Sequence, residues 1–240
     1  MSDASSETPA TSTAPISAEA VTFAFRDQQR AAYYARPDGA GPFPGVVVIH
    51  EAYGLNDNIR DITGRFAAAG YAALAVDLFA GRNRAVCMAR LIGQMVNGAP
   101  ENSTTAELRA ALDWLAARPE VNAAKVGAIG FCMGGTFAIA WACLDDRLQV
   151  IAPFYARNPR PIEAARRLCP VVGSYPEKDF TAPAGRQLDT FLTSANIQHD
   201  IKVYPNARHS FFNDQGAAYD PAASADAWRR IMAYFGERLG

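Results

Sequence analysis

Residues 125–136 read Lys-Val-Gly-Ala-Ile-Gly-Phe-Cys-Met-Gly-Gly-Thr. An apolar run with strand character, Val126 to Phe131, passes directly into an apolar run with helix character, Met133 to Leu144, with only Cys132 between them. This is the Gly-x-Ser-x-Gly pattern of a nucleophile held on a sharp strand-to-helix turn, with cysteine in the serine position. Such a turn demands small residues two before and two after the nucleophile, because a Cβ there would meet neighbouring backbone. Cys132 then stands at a helix N-terminus, where the partial positive charge favours thiolate over thiol. The N–H of Met133 would face the oxyanion formed when that thiolate attacks a carbonyl carbon. The plainer reading is a glycine-rich turn around a buried structural cysteine, and the order of the residues downstream argues against it.

A nucleophile of this kind needs a base and a residue to orient the base, in the chain order nucleophile, acid, histidine. Of the three histidines, His209 lies just past the apolar run Ile201 to Tyr204, in Tyr-Pro-Asn-Ala-Arg-His-Ser-Phe-Phe. His199 precedes that run and falls at the wrong end of a strand. His50 comes before the nucleophile and reads as a hydrogen-bonded histidine at a strand end. The acid comes from Gly173 to Pro183, where Glu177 and Asp179 both qualify by position. Asp179 is preferred because it sits deeper in the loop, with Phe180 and Pro183 available to close over it. Glu51 follows Val46-Val-Val-Ile49 and His50, in the loop that would offer the N–H of Ala52 as a second oxyanion donor. Beside Cys132, its carboxylate could take the thiol proton or shift its ionisation; the alternative is a solvent-facing glutamate.

The elements that must position these groups are legible as an alternation. Val21 to Phe25 and Ala31 to Ala35 form an antiparallel pair. The unbroken run Val46 to Ile49 then reads as a strand covered on both faces. Helices are expected at 58–69, 104–117, 133–144, 183–194 and 221–239. Strands are expected at 71–76, 126–131, 150–155, 170–175 and 201–204. Such alternation predicts one α/β domain over residues 20–240 with a doubly wound, mostly parallel sheet. Residues 1–19, rich in Ser, Thr, Ala and Pro, are expected to form a disordered tail.

The chain of 240 residues balances 23 Lys and Arg against 24 Asp and Glu, with no basic block. That leaves no electrostatic footprint for nucleic acid or an anionic membrane surface. The cysteines Cys87, Cys132, Cys143 and Cys169 have no C-x-x-C spacing, and the histidines make no zinc motif, so neither metal nor cofactor is expected. No secretory leader or membrane span is read, so the expected location is the cytoplasm.

Taken together, Gly130-Phe-Cys-Met-Gly-Gly135, His50-Glu-Ala-Tyr-Gly-Leu55, Asp77-Leu-Phe79, Glu177-Lys-Asp179 and His209-Ser-Phe211 resemble the dienelactone hydrolase family of α/β-hydrolases. The likeness runs from about Val21 to the C-terminus. It implies an α/β-hydrolase fold with an antiparallel N-terminal strand pair, and a triad of Cys132, His209 and Asp179. It further implies that Glu51 hydrogen-bonds the resting thiol. One position departs from the family: Asn213 stands where an arginine four residues after the histidine holds the substrate carboxylate. Arg82, Arg84 and Arg90 are candidates for the other arginine, and Tyr155 joins Asn213 among the substrate-binding candidates. The resemblance implies hydrolysis of a small ester or lactone, of carboxymethylenebutenolidase type, through an acyl-cysteine. Alternatives are a carboxylesterase or thioesterase acting on uncharged acyl groups, and a redox-responsive ligand-binding protein using Cys132. The expected state is a monomer or weak homodimer whose only partner is the small-molecule substrate.

Overall fold

The computed structural model describes residues 15–79 and 83–240. Residues 1–14 of the tail expected at 1–19, and Arg82, lie outside them. Eight strands form one sheet in the order β1-β2-β4-β3-β5-β6-β7-β8. They are β1 (Ile16–Phe25), β2 (Gln28–Pro37), β3 (Phe43–Ile49), β4 (Ala72–Val76), β5 (Val121–Phe131), β6 (Leu148–Phe154), β7 (Val171–Lys178) and β8 (His199–Arg208). The six strands from β4 to β8 in that order run parallel, and β1 and β2 are antiparallel at one edge.

The unbroken Val/Ile run of β3 is what a strand covered on both faces requires. Val47 and Ile49 pack on one side with α2 (Arg84–Asn97), α3 (Ser103–Ala116), α4 (Met133–Ala142) and α5 (Ala182–Ser194). Val46 and Val48 pack on the other with α1 (Asp57–Ala68) and α6 (Pro221–Leu239). The chain passes from β3 outward to β4, then returns across β3 to β5. Parallel sheets open a crevice at such a reversal, at the carboxyl ends of the strands. Glu51 and Cys132 follow the two strands that flank it.

Three features differ from the sequence expectation. Strand β1 begins at Ile16, so residues 16–19 belong to the sheet and not to the tail: Ile16 pairs with Pro37 and Glu19 with Tyr34. Their side chains are exposed, and backbone pairing at a sheet edge needs no apolar payload. Helix α2 was not anticipated, because its buried face amounts to Cys87 and Leu91. Strand β8 runs on to Arg208, through residues read as a loop.

Helix α4 leaves β5 with one residue between them, and this forces backbone against backbone. A Cβ at Gly130 would lie 2.2 Å from the carbonyl oxygen of Gly134, and one at Gly134 would lie 2.3 Å from that of Ile49. No relaxation of a side chain relieves such contacts. Gly134→Ala is therefore expected to destabilise the protein by about 3 kcal/mol or more in urea denaturation, at or above the upper end for an overpacked core. Gly93→Ala, exposed on α2 with no atom near its Cβ position, should instead stabilise by up to about 1 kcal/mol.

Candidate active site

Cys132 has φ 55° and ψ −115°. A side-chain-bearing residue pays of order 1–3 kcal/mol for such a conformation, and it persists only where the surroundings impose it. Here they do. The Cys132 N–H donates to the Phe154 carbonyl at 3.1 Å, and its own carbonyl accepts from the Thr136 N–H at 3.1 Å.

Asp179 and His209 meet because β7 and β8 are in register. Lys178 pairs with Arg208, so the next residue of each strand leaves the sheet edge beside the other. His209 Nδ1 lies 2.8 Å from Asp179 Oδ2, with the Asp179 side chain 3% exposed and that of His209 30% exposed. The same carboxylate accepts from the Thr181 hydroxyl and, at 2.8 Å, from the Phe180 N–H. Burial pushes the Asp179 carboxyl up, but the hydrogen bonds from His209 and Thr181 outweigh it and hold it below the usual carboxylate range. With Nδ1–H donating to Asp179, Nε2 is the imidazole nitrogen left for another partner, and the Cys132 side chain is near enough to favour the protonated ring. Burial opposes protonation of His209, yet the bond to Asp179 and the nearby Cys132 side chain raise it to about 10. Phe180 stacks on the imidazole, with ring centres 5.4 Å apart, instead of closing over Asp179.

The carboxylate of Glu51 is buried, and its partners were not visible in the sequence. Oε2 accepts from Ser210 Oγ at 2.7 Å and Oε1 from Asn213 Nδ2 at 2.8 Å. The bond to the resting thiol that the family resemblance implied is not formed. His50 holds the same loop from behind. Its Nε2 accepts from the Leu78 N–H at 3.0 Å, so Nδ1 carries the proton and donates to the Glu51 carbonyl at 2.6 Å. Burial lowers the His50 pKa, consistent with this neutral tautomer.

The substrate-binding candidates fare differently from one another. Asn213 is buried and bonded to Glu51, so it does not take the substrate-facing place expected of it. Tyr155 is also buried; it packs edge-on to Phe154 and Phe211, with its ring 4.9 Å from that of His209. Burial and the negative charge of Glu51 raise its pKa well above that of a free tyrosine. Arg84 reaches the Glu51 loop, donating to the Ala52 carbonyl at 3.0 Å while lying over Phe79. Arg90 points elsewhere, toward Ser103 at the start of α3, because six residues along a helix is about 120° round its axis from Arg84. Ala52 follows Glu51 at the crevice. Met133 is the first residue of α4, and its N–H is among those a helix start leaves without an intrahelical partner. Among the described residues no three His, Cys, Asp or Glu side chains cluster as metal ligands would.

The family model for the dienelactone hydrolase family matches residues 30–239. This chain belongs to the dienelactone hydrolase family. It is therefore a hydrolase of that type, built on the α/β-hydrolase fold. Relatives named "Putative carboxymethylenebutenolidase" include one from Yersinia pestis, 32% identical over 221 residues and covering 85% of this chain and 82% of its own. Another, from Saccharolobus solfataricus, is 32% identical over 243 residues, covering 85% and 92%. Among solved structures, a dienelactone hydrolase-like promiscuous phosphotriesterase from metagenomic libraries superposes with a TM-score of 0.83 at 27% identity, covering 94% of this chain and 99% of its own. An acylaminoacyl peptidase from Pyrococcus horikoshii shares the fold, at a TM-score of 0.77 and 12% identity, with 93% of this chain matched to 42% of that one.

The raised His209 value has a sign that can be checked. Its folded-state value of about 10 lies above the unperturbed 6.5, so the stabilisation from protonated His209 is complete below about 6.5 and is lost as pH rises through about 10. The melting temperature of the wild type should fall over that window more than that of His209→Gln. The His209 ring resonance, followed by NMR, should titrate at lower pH in Cys132→Ala than in the wild type.

Proposed function

We propose that this enzyme hydrolyses small esters or lactones through an acyl-cysteine intermediate. The reading rests on one observation: Asp179 holds the His209 imidazole by Nδ1, which leaves Nε2 for Cys132 on the strained turn that opens α4. In this reading His209 takes the Cys132 thiol proton on Nε2, and the sulfur attacks from the N-terminus of α4. Attack of the Cys132 sulfur on the ester carbonyl places negative charge on the carbonyl oxygen, between the N–H groups of Met133 and Ala52. His209 gives its proton to the leaving oxygen, the C–O bond breaks, and a thioester remains. Water, deprotonated by His209, then attacks the thioester, and the Cys132 sulfur leaves as thiolate beside the restored imidazolium. Asp179 holds the tautomer throughout and stabilises imidazolium.

Glu51 is read as a positioning residue. Its backbone leads into Ala52, and its carboxylate is tied to Ser210, the neighbour of His209, and to Asn213. It thereby fixes the oxyanion loop relative to the histidine loop. The names of the relatives make a carboxymethylene-substituted butenolide the first lactone to assay, with simple phenyl esters beside it.

Cys132→Ala should abolish turnover, whereas Cys143→Ala and Cys169→Ala should retain most of it, since burial pushes both of those thiols up to about 12. Full activity in Cys132→Ala would sink the proposal. Asp179→Asn should lower kcat by about 10³–10⁴ through the wrong tautomer. Glu177→Gln should change little, since Glu177 is exposed and bonded only to Arg186. Asn213→Ala should lower kcat with KM nearly constant, and Asn213→Gln should restore part of the loss; a changed KM alone would make Asn213 a substrate contact instead.

A further inference from the structure

Next to the catalytic residues lies a cleft of about 610 Å³ that the mechanism above does not use. Its walls carry two guanidinium groups, Arg157 and Arg160, with Asn158, Gln187, Phe180 and Pro183, and among the described residues no carboxylate. Among the described residues neither arginine forms an ion pair, whereas nine other arginines have acidic partners. Arg157 is partly buried, so its charge is set into a wall and not free in solvent.

The arginine is also fixed with respect to the nucleophile. The Arg157 N–H donates to Thr136 Oγ1 at 2.9 Å, and that hydroxyl lies 3.3 Å from the Cys132 carbonyl. Its guanidinium stands 5.7 Å from the centre of the Phe180 ring, whose stacking partner is His209. On the far wall, Asn158 Nδ2 donates to Gln187 Oε1 at 3.0 Å and to the Ala184 carbonyl at 2.9 Å. Gln187 therefore has its oxygen engaged and its NH₂ left as a donor. The first turn of α5, through Pro183 and Ala184, adds the positive end of that helix. Every charged group lining the cleft calls for an anion.

Which part of a substrate would enter follows from the position of His209. The imidazole protonates the departing oxygen, so the leaving group lies on its side of the scissile carbonyl. The cleft begins at Phe180, on the imidazole, and the Arg157 guanidinium stands 5.7 Å beyond the centre of that ring. We propose that this cleft is a leaving-group subsite, selecting esters whose alcohol part is ring-sized and carries a carboxylate at its far end. The inference rests on the hydrolase reading above. Guanidinium groups suit it because they bind carboxylate through paired, charge-assisted hydrogen bonds.

Two acetate esters of matched phenols test this in the full chain: 4-methylphenyl acetate and 4-(carboxymethyl)phenyl acetate. The wild type should favour the carboxylate ester by about tenfold or more in kcat/KM, the scale of one charge-assisted contact, and the preference should shrink with added salt. Arg157→Gln and the exposed Arg160→Gln should each reduce that ratio, and the double variant should bring it near one. A ratio unchanged in both variants overturns the proposal. So does a carboxylate preference that appears only when the charge is moved to the acyl side, tested with 4-nitrophenyl adipate half-ester against 4-nitrophenyl hexanoate. If neither acetate is turned over, the hydrolase reading fails separately. The cleft is then judged by calorimetric binding of 4-hydroxyphenylacetate, which should weaken about tenfold in Arg157→Gln and otherwise refutes the site.

Discussion

The structure turns on a backbone contact: the first turn of α4 pressed against the end of β3. At Gly134 the chain comes so close to the carbonyls of Ile49 and His50 that no side chain fits between them. The same closeness recurs where Gly130 meets Gly134, and together these contacts dictate the turn in which Cys132 adopts φ 55°. The strain is local and small beside the burial that surrounds it. Phe131, Phe154 and Phe212 pack with ring centres within 5.5 Å of one another, directly under the turn. An aromatic layer of this kind resists the relaxation that would let the turn open.

A second constraint brings the polar partners to that turn. Parallel strands end at one edge of the sheet, so residues placed just after β3, β5, β7 and β8 share it. Register then sorts them. The pairing of Lys178 with Arg208 sets Asp179 and His209 side by side, and the hydrogen bond between them outweighs the burial that would otherwise keep each neutral. Across the crevice, Glu51 is clasped by Ser210 and Asn213, which makes the loop after β3 and the loop after β8 one mechanical unit. His50, neutral and wedged between the Glu51 carbonyl and the Leu78 N–H, anchors that unit to β4.

This coupling gives the departure at Asn213 its meaning. A neutral amide in that place does not leave a vacant substrate contact. It turns inward and satisfies a buried carboxylate, where an unpartnered charge would be costly. Asn213 accordingly offers no cation to the site, while Arg157 and Arg160 line the cleft past Phe180.

Much of this was legible in the chain before it folded. Glycines at 130 and 134 around Cys132, and apolar runs of strand and helix length on either side, specify the turn locally. A cysteine, a carboxylate and a histidine that each follow an apolar run specify which residues reach the same sheet edge. Helix α2 was not legible, since its inward face offers little more than Cys87 and Leu91 to set a period. Nor was the role of Asn213: the distance of 162 positions to Glu51 leaves no pattern in sequence, and its amide looks the same whether it faces substrate or carboxylate. Arg90 changed standing for the same reason. Local spacing fixes what a segment becomes, because dihedral preference and hydrophobic period act over a few residues. Which side chains then face one another depends on strand register and on helix rotation against the sheet, and those are set only when the whole core packs.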